Sequence, residues 1–441
     1  MLLLLYWVSL YLLSIISTGS EILNVITVVC YILLLFYFLY RRESFFIICS
    51  FFLWAFLTTA LSGLILESGL FLPELGSMST LNGTTAINVS LASITLLIAS
   101  GIYRLLNERI HVGLNSSFVI NSLIERIYPG IVLCATLVVI FISVHYGRPS
   151  DFAQDRFYYW NNIAPSWGNL VRLFVEQSSF ILGAIYASKR KKYVLAIFFL
   201  GIISQVLVGE KFTGIFQMLL FFSICFFITS HIKISKNFFS AKNIVLFLFL
   251  GCFFVLLVWA SYFSLSGDSS LALASLKTRI AAQSQIWWGL SDVSGAGDFE
   301  FKNITKHLLG IDAQPEETGM LYLMSKVMPY KLFSIYQDAG IALTMAFPAN
   351  IIFFFGPYLS LVICSVLALF LSLALWFTAY TLKNKDYLLL FIAMKVYNIA
   401  IQFVLMGRVY LLFEWKIILL LFPLIFAFFA HTRNRRTRSN V

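Results

Sequence analysis

Charge is scarce in this chain, and the scarcity excludes a water-soluble fold. Only 12% of its 441 residues are Asp, Glu, Lys or Arg, whereas 60% are hydrophobic and 45 are Phe. No water-filled surface calls for so few charges and no soluble core for so much apolar sequence. Several catalytic signatures are missing as well. There is no P-loop, no GxSxG and no HExxH, which argues against nucleotide hydrolysis, a serine hydrolase elbow and a zinc peptidase. The cysteines number six, Cys30, Cys49, Cys134, Cys225, Cys252 and Cys364, and all lie in apolar runs. They show no CxxC or Cys/His ligand spacing. They are expected to be small packing residues, with no outer-loop disulfide and no metal site; no cofactor is expected either.

What fills the chain instead is a series of long apolar runs, each able to cross about 30 Å of hydrocarbon as a helix. The expected spans are 2–18, 22–40, 44–65, 86–103, 128–146, 167–187, 193–208, 212–230, 244–264, 349–378, 387–405 and 409–430. The first has no basic flank and no clear small-residue cleavage site, so it is expected to be retained. The tenth carries Pro348 and Pro357 and is expected to tilt, kink or turn back. The fold class is therefore an all-α polytopic membrane protein of about 12 transmembrane helices, read as a single membrane domain over 1–441.

Orientation follows from Lys and Arg. With the N-terminus inside, 18 of the 31 basic residues fall on the inner side, among them Arg41, Arg42, Arg104, Lys189 to Lys192, Lys383 and Lys385. The bias is strong among short loops, which decide topology. The net charge of +11 thus reflects membrane placement and is no sign of nucleic acid. Both termini are then cytoplasmic. A large extracytoplasmic loop, 265–345, separates the ninth and tenth spans, and a smaller one covers 147–166. Within the large loop, Ser269 to Leu290 reads as a helix ending in Trp287-Trp288, suited to lying on the membrane surface. Pro315-Glu316-Glu317-Thr318 opens a second helix.

The candidate chemistry lies on the outer side. Segment 147–168 holds Arg148, Asp151, Asp155, Arg156, Tyr158, Tyr159, Trp160 and Asn161. Guanidinium groups bind phosphate oxygens in pairs, and aromatic faces with amides bind sugars. The same residues also suit an interfacial aromatic belt with solvated charges. Arg172 and Glu176 share a face inside the sixth span, as a site or as a buried ion pair. In the tight turn Gly209-Glu210-Lys211, Glu210 offers a base for a sugar hydroxyl and Lys211 a phosphate ligand; a plain polar turn is the other reading. Lys395, Asn398 and Gln402 form a polar stripe that runs toward Arg408, a phosphate-ligand candidate after Gly407. In the large loop, Arg279 follows an apolar helix face and His307 is a histidine placed clearly outside.

The segments GRPSDFAQDRFYYW, GEKFTG and DAGIALTMAFPAN, with many spans and one large outer loop in the second half, resemble the Wzy-type polymerases of O-antigen and related surface polysaccharides. The resemblance implies a metal-independent glycosyltransferase of the bacterial inner membrane with its active site on the periplasmic face. It implies transfer of a growing glycan from undecaprenyl diphosphate to the non-reducing end of another lipid-linked repeat unit. Membrane lipid, a flippase and a chain-length regulator are the implied partners. On that chemistry Arg148, Arg156, Arg172 and Arg408 would form a diphosphate clamp helped by Lys211 and Arg279. Tyr158, Tyr159, Trp160 and Asn161 would hold sugar. Asp155 or Glu210 would be the base, with His307 third in line. An O-antigen ligase shares this architecture. A flippase fits less well, since it predicts short loops and a two-half repeat.

Overall fold

The structure, a computed structural model, describes residues 2–109, 118–152, 158–210, 213–230, 259, 268–293 and 300–414. Apolar sequence in hydrocarbon satisfies its backbone only by forming helices, and helices dominate. They are α1 (Leu2–Ile16), α2 (Glu21–Arg41), α3 (Glu43–Leu66), α4 (Thr84–Arg109), α5 (Phe118–His145), α6 (Ser166–Lys189), α7 (Lys192–Leu207) and α8 (Thr213–Thr229). The loop region adds α9 (Ser269–Ala281), α10 (Gln285–Val293), α11 (Gly319–Val327) and α12 (Tyr330–Ala339). Two long helices, α13 (Ala349–Asn384) and α14 (Tyr387–Met406), follow. The strand pair among the described residues is a two-residue hairpin, β1 (Phe71–Leu72) on β2 (Ser77–Met78), antiparallel with Phe71 opposite Met78.

Seven of the described helices are long and apolar enough to cross a membrane: α2, α3, α4, α5, α6, α13 and α14. Three shorter apolar helices, α1, α7 and α8, accompany them. The chain is an all-α, multi-pass membrane protein. The expected ninth span and nearly all of the twelfth lie outside the described residues; Val409–Phe413 at the start of the latter forms a 3-10 turn.

The bundle has two chemically different ends. One gathers the basic turns. Lys383 donates to Asn107 at 2.9 Å, Lys189 pairs with Glu125 at 3.0 Å, and the Tyr387 backbone N–H donates to Asn121 at 3.1 Å. These links tie the ends of α4, α5, α6, α13 and α14 together, and Arg41, Arg42 and Arg104 lie there too. The other end carries the loop helices.

Close approach of helices relies on small residues. At Gly183 on α6 an added Cβ would lie 2.5 Å from the Phe222 carbonyl oxygen of α8. Gly183→Val is therefore expected to force these helices apart and destabilise the protein by about 1–3 kcal/mol, the usual range for overpacking. A thermal unfolding midpoint in detergent equal to wild type would contradict this. In α13 the helix breaks at Gly356 (φ 69°, ψ 172°), just before Pro357. The Tyr11 hydroxyl donates to the Pro357 carbonyl at 2.6 Å. The break realises the expected kink, and Pro348 sits at the helix N-cap.

The large loop is a folded cap. Trp287 and Trp288, expected at a membrane surface, are instead buried at 1% and 2% exposure. Their indole N–H groups donate to the carbonyls of Phe347 (3.3 Å) and Thr80 (2.9 Å), and Thr84 donates to the Trp287 carbonyl at 3.1 Å. The reason is local: α10 packs against α4, α11 and α13, so its apolar face has a protein partner and needs no lipid. Helix α9 is different, with Leu271, Leu273 and Ile280 exposed. Its end is held by Ser62 of α3, which donates to the Ile280 carbonyl at 2.6 Å.

The cap sits on a filled helix terminus. The first four N–H groups of an α-helix have no partner of their own. At the start of α4, Gly83 and Thr85 donate to the two Glu67 oxygens, both at 2.7 Å. Thr84 donates to Asn82 (3.1 Å) and Ala86 to Asn24 (2.9 Å), while the Asn24 amide donates to Glu67 at 2.9 Å. Glu67 is 5% exposed and Asn24 0%. A carboxylate at the positive end of the helix dipole joins α2, α3 and α4.

Candidate functional site

At the capped end the chain brings two sequence-selected residues to the same short segment. Ala346 and Phe347 donate to the carbonyls of Leu405 and Val404, both at 3.1 Å, so the cap's last segment runs along the end of α14. Gly407 (φ 62°) then turns the chain, and a Cβ there would lie 2.9 Å from that of Ala346. Gly319 (φ 55°) crosses close by: its Cβ would lie 2.9 Å from the Met406 carbonyl and 3.1 Å from Arg408 Cγ. Only glycine combines that backbone with that contact. Arg408 itself is exposed at the mouth of this junction.

His307, half-buried, meets the same segment. Its Nδ1 lies 2.7 Å from the Glu317 carbonyl. A carbonyl only accepts, so Nδ1 carries the proton and Nε2 of the neutral ring keeps its lone pair. The ring stacks on Tyr322 at 3.8 Å and 7°, and Tyr322 stacks in turn on Phe354 of α13. The Lys326 ammonium sits 5.0 Å from the Tyr322 ring. Orientation and tautomer of the imidazole are thus fixed from two directions.

Glu317 organises this loop. Its carboxylate pairs with Lys306 at 2.5 Å and accepts from the Gln314 N–H at 3.1 Å, closing a capping box. The Lys306 ammonium first, and the Gln314 N–H second, hold the Glu317 carboxyl below its ordinary range. A depressed carboxylate stabilises above its unfolded value and loses that contribution as pH falls through the folded one. Hydrogen-exchange protection across 306–319 is therefore expected to persist at pH 5 and to fall only under more acid conditions. Glu317→Gln should remove that acid-dependent step.

The remaining candidates are placed as follows. Arg172 donates to Asn169 at 2.9 Å, lies 3.4 Å from Glu176 and is ion-paired with Glu210. Gln205 donates to the Arg172 carbonyl at 3.3 Å. The Glu210 side chain is 3% exposed. Arg172 is engaged with two carboxylates and Glu210 is enclosed with it, which is the buried ion-pair reading of Arg172 and Glu176 extended to Glu210.

Tyr158 and Asn161 are exposed, but Tyr159 and Trp160 are buried at 0% and 6%. Their rings meet edge to face, and Trp160 packs under Gly168 beside Ile142. They build the core of this turn and present no sugar-binding face. Arg148 is exposed. Asp155, Arg156 and Lys211 lie outside the described residues. Arg279 is exposed on α9. Near the β-hairpin, Tyr336 donates to Glu74 at 3.2 Å, and burial and then the adjacent Glu74 carboxylate push its phenol up to about 12. In α14, Lys395 is exposed in mid-helix and Asn398 and Gln402 are half-buried, on the face that leads to Arg408.

Sequence reading passed over Glu67, Asn24, Gly319 and Tyr322. Gly319 follows the Pro-Glu-Glu-Thr helix start, and that was its available signal. Among the described residues no group of three or more His, Cys, Asp or Glu is arranged to hold a metal ion. No curated protein and no solved structure matches the chain. Residues 313–421, which take in Glu317, Gly319, Tyr322 and Arg408, match the model of a family of unknown function (DUF6418).

Proposed function

We propose that the chain is a membrane glycosyltransferase of the Wzy polymerase type, acting on undecaprenyl-diphosphate-linked repeat units at its capped end. The observation that carries this reading is that Arg408 and His307 both meet the segment 317–319, Arg408 at Gly319 and His307 at the Glu317 carbonyl. The proposed reaction needs two groups. A cation must meet the diphosphate as its bond to the anomeric carbon breaks, and Arg408 supplies a planar pair of donors. A base must take the proton of the acceptor hydroxyl as its oxygen attacks that carbon, and His307 Nε2 has the free lone pair. The leaving diphosphate departs with the electron pair of the broken C–O bond. Energy comes from that bond, so the reaction calls for no nucleotide. His307, third among the bases by sequence, is preferred to the enclosed Glu210, and Asp155 stays the other candidate base. Arg148 and the polar stripe 395–402 lie on candidate paths for the lipid diphosphate.

The basic end of the bundle is placed in the cytoplasm on this reading and the cap in the periplasm of a bacterial inner membrane. The deciding experiment is the lipopolysaccharide banding pattern of a deletion strain with and without the complementing gene. Reduction of the ladder to core plus one repeat, restored by the gene, is the expected result. An intact ladder would sink the proposal. Polymer accumulating on the outward-facing lipid carrier, with none on core, would assign a ligase, and repeats retained inside would assign a flippase.

A further inference from the structure

The proposed reaction uses only the capped end. At the basic end, α2, α3 and α4 enclose a cavity of about 600 Å³. Three arginines line it, Arg41, Arg42 and Arg104, against two carboxylates, Glu43 and Glu108. Arg104 is ion-paired with Glu108. Arg42 is not so engaged: its Nε is buried and has no hydrogen-bond partner among the described residues. A buried donor left unpaired is destabilising unless a ligand meets it.

A second set of donors faces the same space. Helix α3 begins here, and its first residues Glu43, Ser44 and Phe45 line the cavity. Its N-cap residue, Arg42, makes no side-chain cap hydrogen bond. The opening residues of this 24-residue helix therefore line the same cavity as the arginine whose Nε is unpaired. The contrast with α4 is direct, since there Glu67, Asn82 and Asn24 fill the same positions. Helix N-termini and arginines both favour phosphate oxygens.

The outside of α2 supplies the rest. Leu33, Phe36, Tyr37 and Tyr40 are exposed at 60%, 47%, 36% and 68%, in one stripe of helical spacing. Tyr37 both ends this stripe and lines the cavity. An apolar track that runs into a cationic pocket fits a molecule with acyl chains and a phosphate.

We propose that this cavity is a binding site for the phosphate headgroup of an anionic phospholipid whose chains lie along α2. The site is independent of the reaction at the cap. The test uses the full-length protein in nanodiscs or detergent, with native mass spectrometry of retained lipid. Phosphatidylglycerol is expected to be retained in preference to phosphatidylcholine. Arg42→Gln should weaken that retention by about tenfold to a hundredfold, the range for one lost charge-assisted hydrogen bond. Arg41→Gln, which alters an exposed side chain and leaves the fold intact, should weaken it by a smaller factor. Arg190→Gln, at the same end and outside the cavity, should change nothing. Equal retention by wild type and both cavity variants would overturn the proposal. So would protection of the cavity by millimolar inorganic phosphate as effectively as by the lipid, which would assign a soluble phosphate compound.

Discussion

Arg408→Ala is expected to reduce a complemented deletion strain to single repeats on core, with the protein still present at wild-type level. Removing one preorganised donor from a developing anion typically lowers rate by about 10²–10³. The side chain is exposed, so its loss should leave stability nearly unchanged. Arg408→Lys keeps the charge and loses the planar pair of donors, and an intermediate ladder is expected. His307→Ala should be similarly severe, since a positioned general base contributes roughly 10²–10⁴. Residues that act in one step are not additive, so the double variant should be little worse than the poorer single one. Chain length and yield unchanged in both single variants would remove the proposed site, and membrane abundance measured alongside separates that result from poor folding.

The largest effect on stability is expected at Glu67, far from any reacting group. Glu67→Ala strips the partner from the Gly83 and Thr85 N–H groups and from the Asn24 amide. All three stay buried. A buried donor left without its acceptor typically destabilises by about 1–3 kcal/mol, and three are left here. Glu67→Gln has the same shape, but its NH2 group faces at least one donor, such as the Thr85 N–H, in place of an accepting oxygen, so it should recover only part of the loss. Asn24→Ala removes one acceptor and one donor and should be milder. Thermal unfolding in detergent, followed by size-exclusion fluorescence, would order the three. A Glu67→Ala midpoint matching wild type would mean that the α4 terminus is not supported as described.

The membrane-crossing helices were legible because hydrophobicity is a property of consecutive residues. Helices α2, α3, α4, α5, α6, α13 and α14 fall where the apolar runs predict them. The site was legible residue by residue and much less so as an arrangement. Arg172 and Glu176, four apart, could be paired from spacing. Glu210, which completes their cluster, is 38 residues from Arg172, and no local rule connects them. Tyr159-Trp160 and Trp287-Trp288 share one difficulty. A tryptophan in a polar loop suits an interface and a core equally well, and only the packing of neighbouring elements decides. Trp287-Trp288 are covered by the packing of their helix on α4, α11 and α13, and Trp160 by Gly168 and Ile142. Glu67 ended an apolar run and looked like an ordinary loop acid until Gly83 and Thr85 were folded back onto it.

On the proposed function, the two buried indoles within the cap would also bear on the route of a bulky substrate. Truncating a buried tryptophan typically destabilises by about 3–5 kcal/mol, and Trp287 and Trp288 are both donors to buried or half-buried carbonyls as well. Lifting this roof once per cycle would be slow. A polyprenyl carrier would therefore arrive sideways, sliding out of the outer leaflet between helices, and its glycan would stay threaded under a stationary ceiling while units are added. Such a geometry favours repeated additions to one chain over release after each.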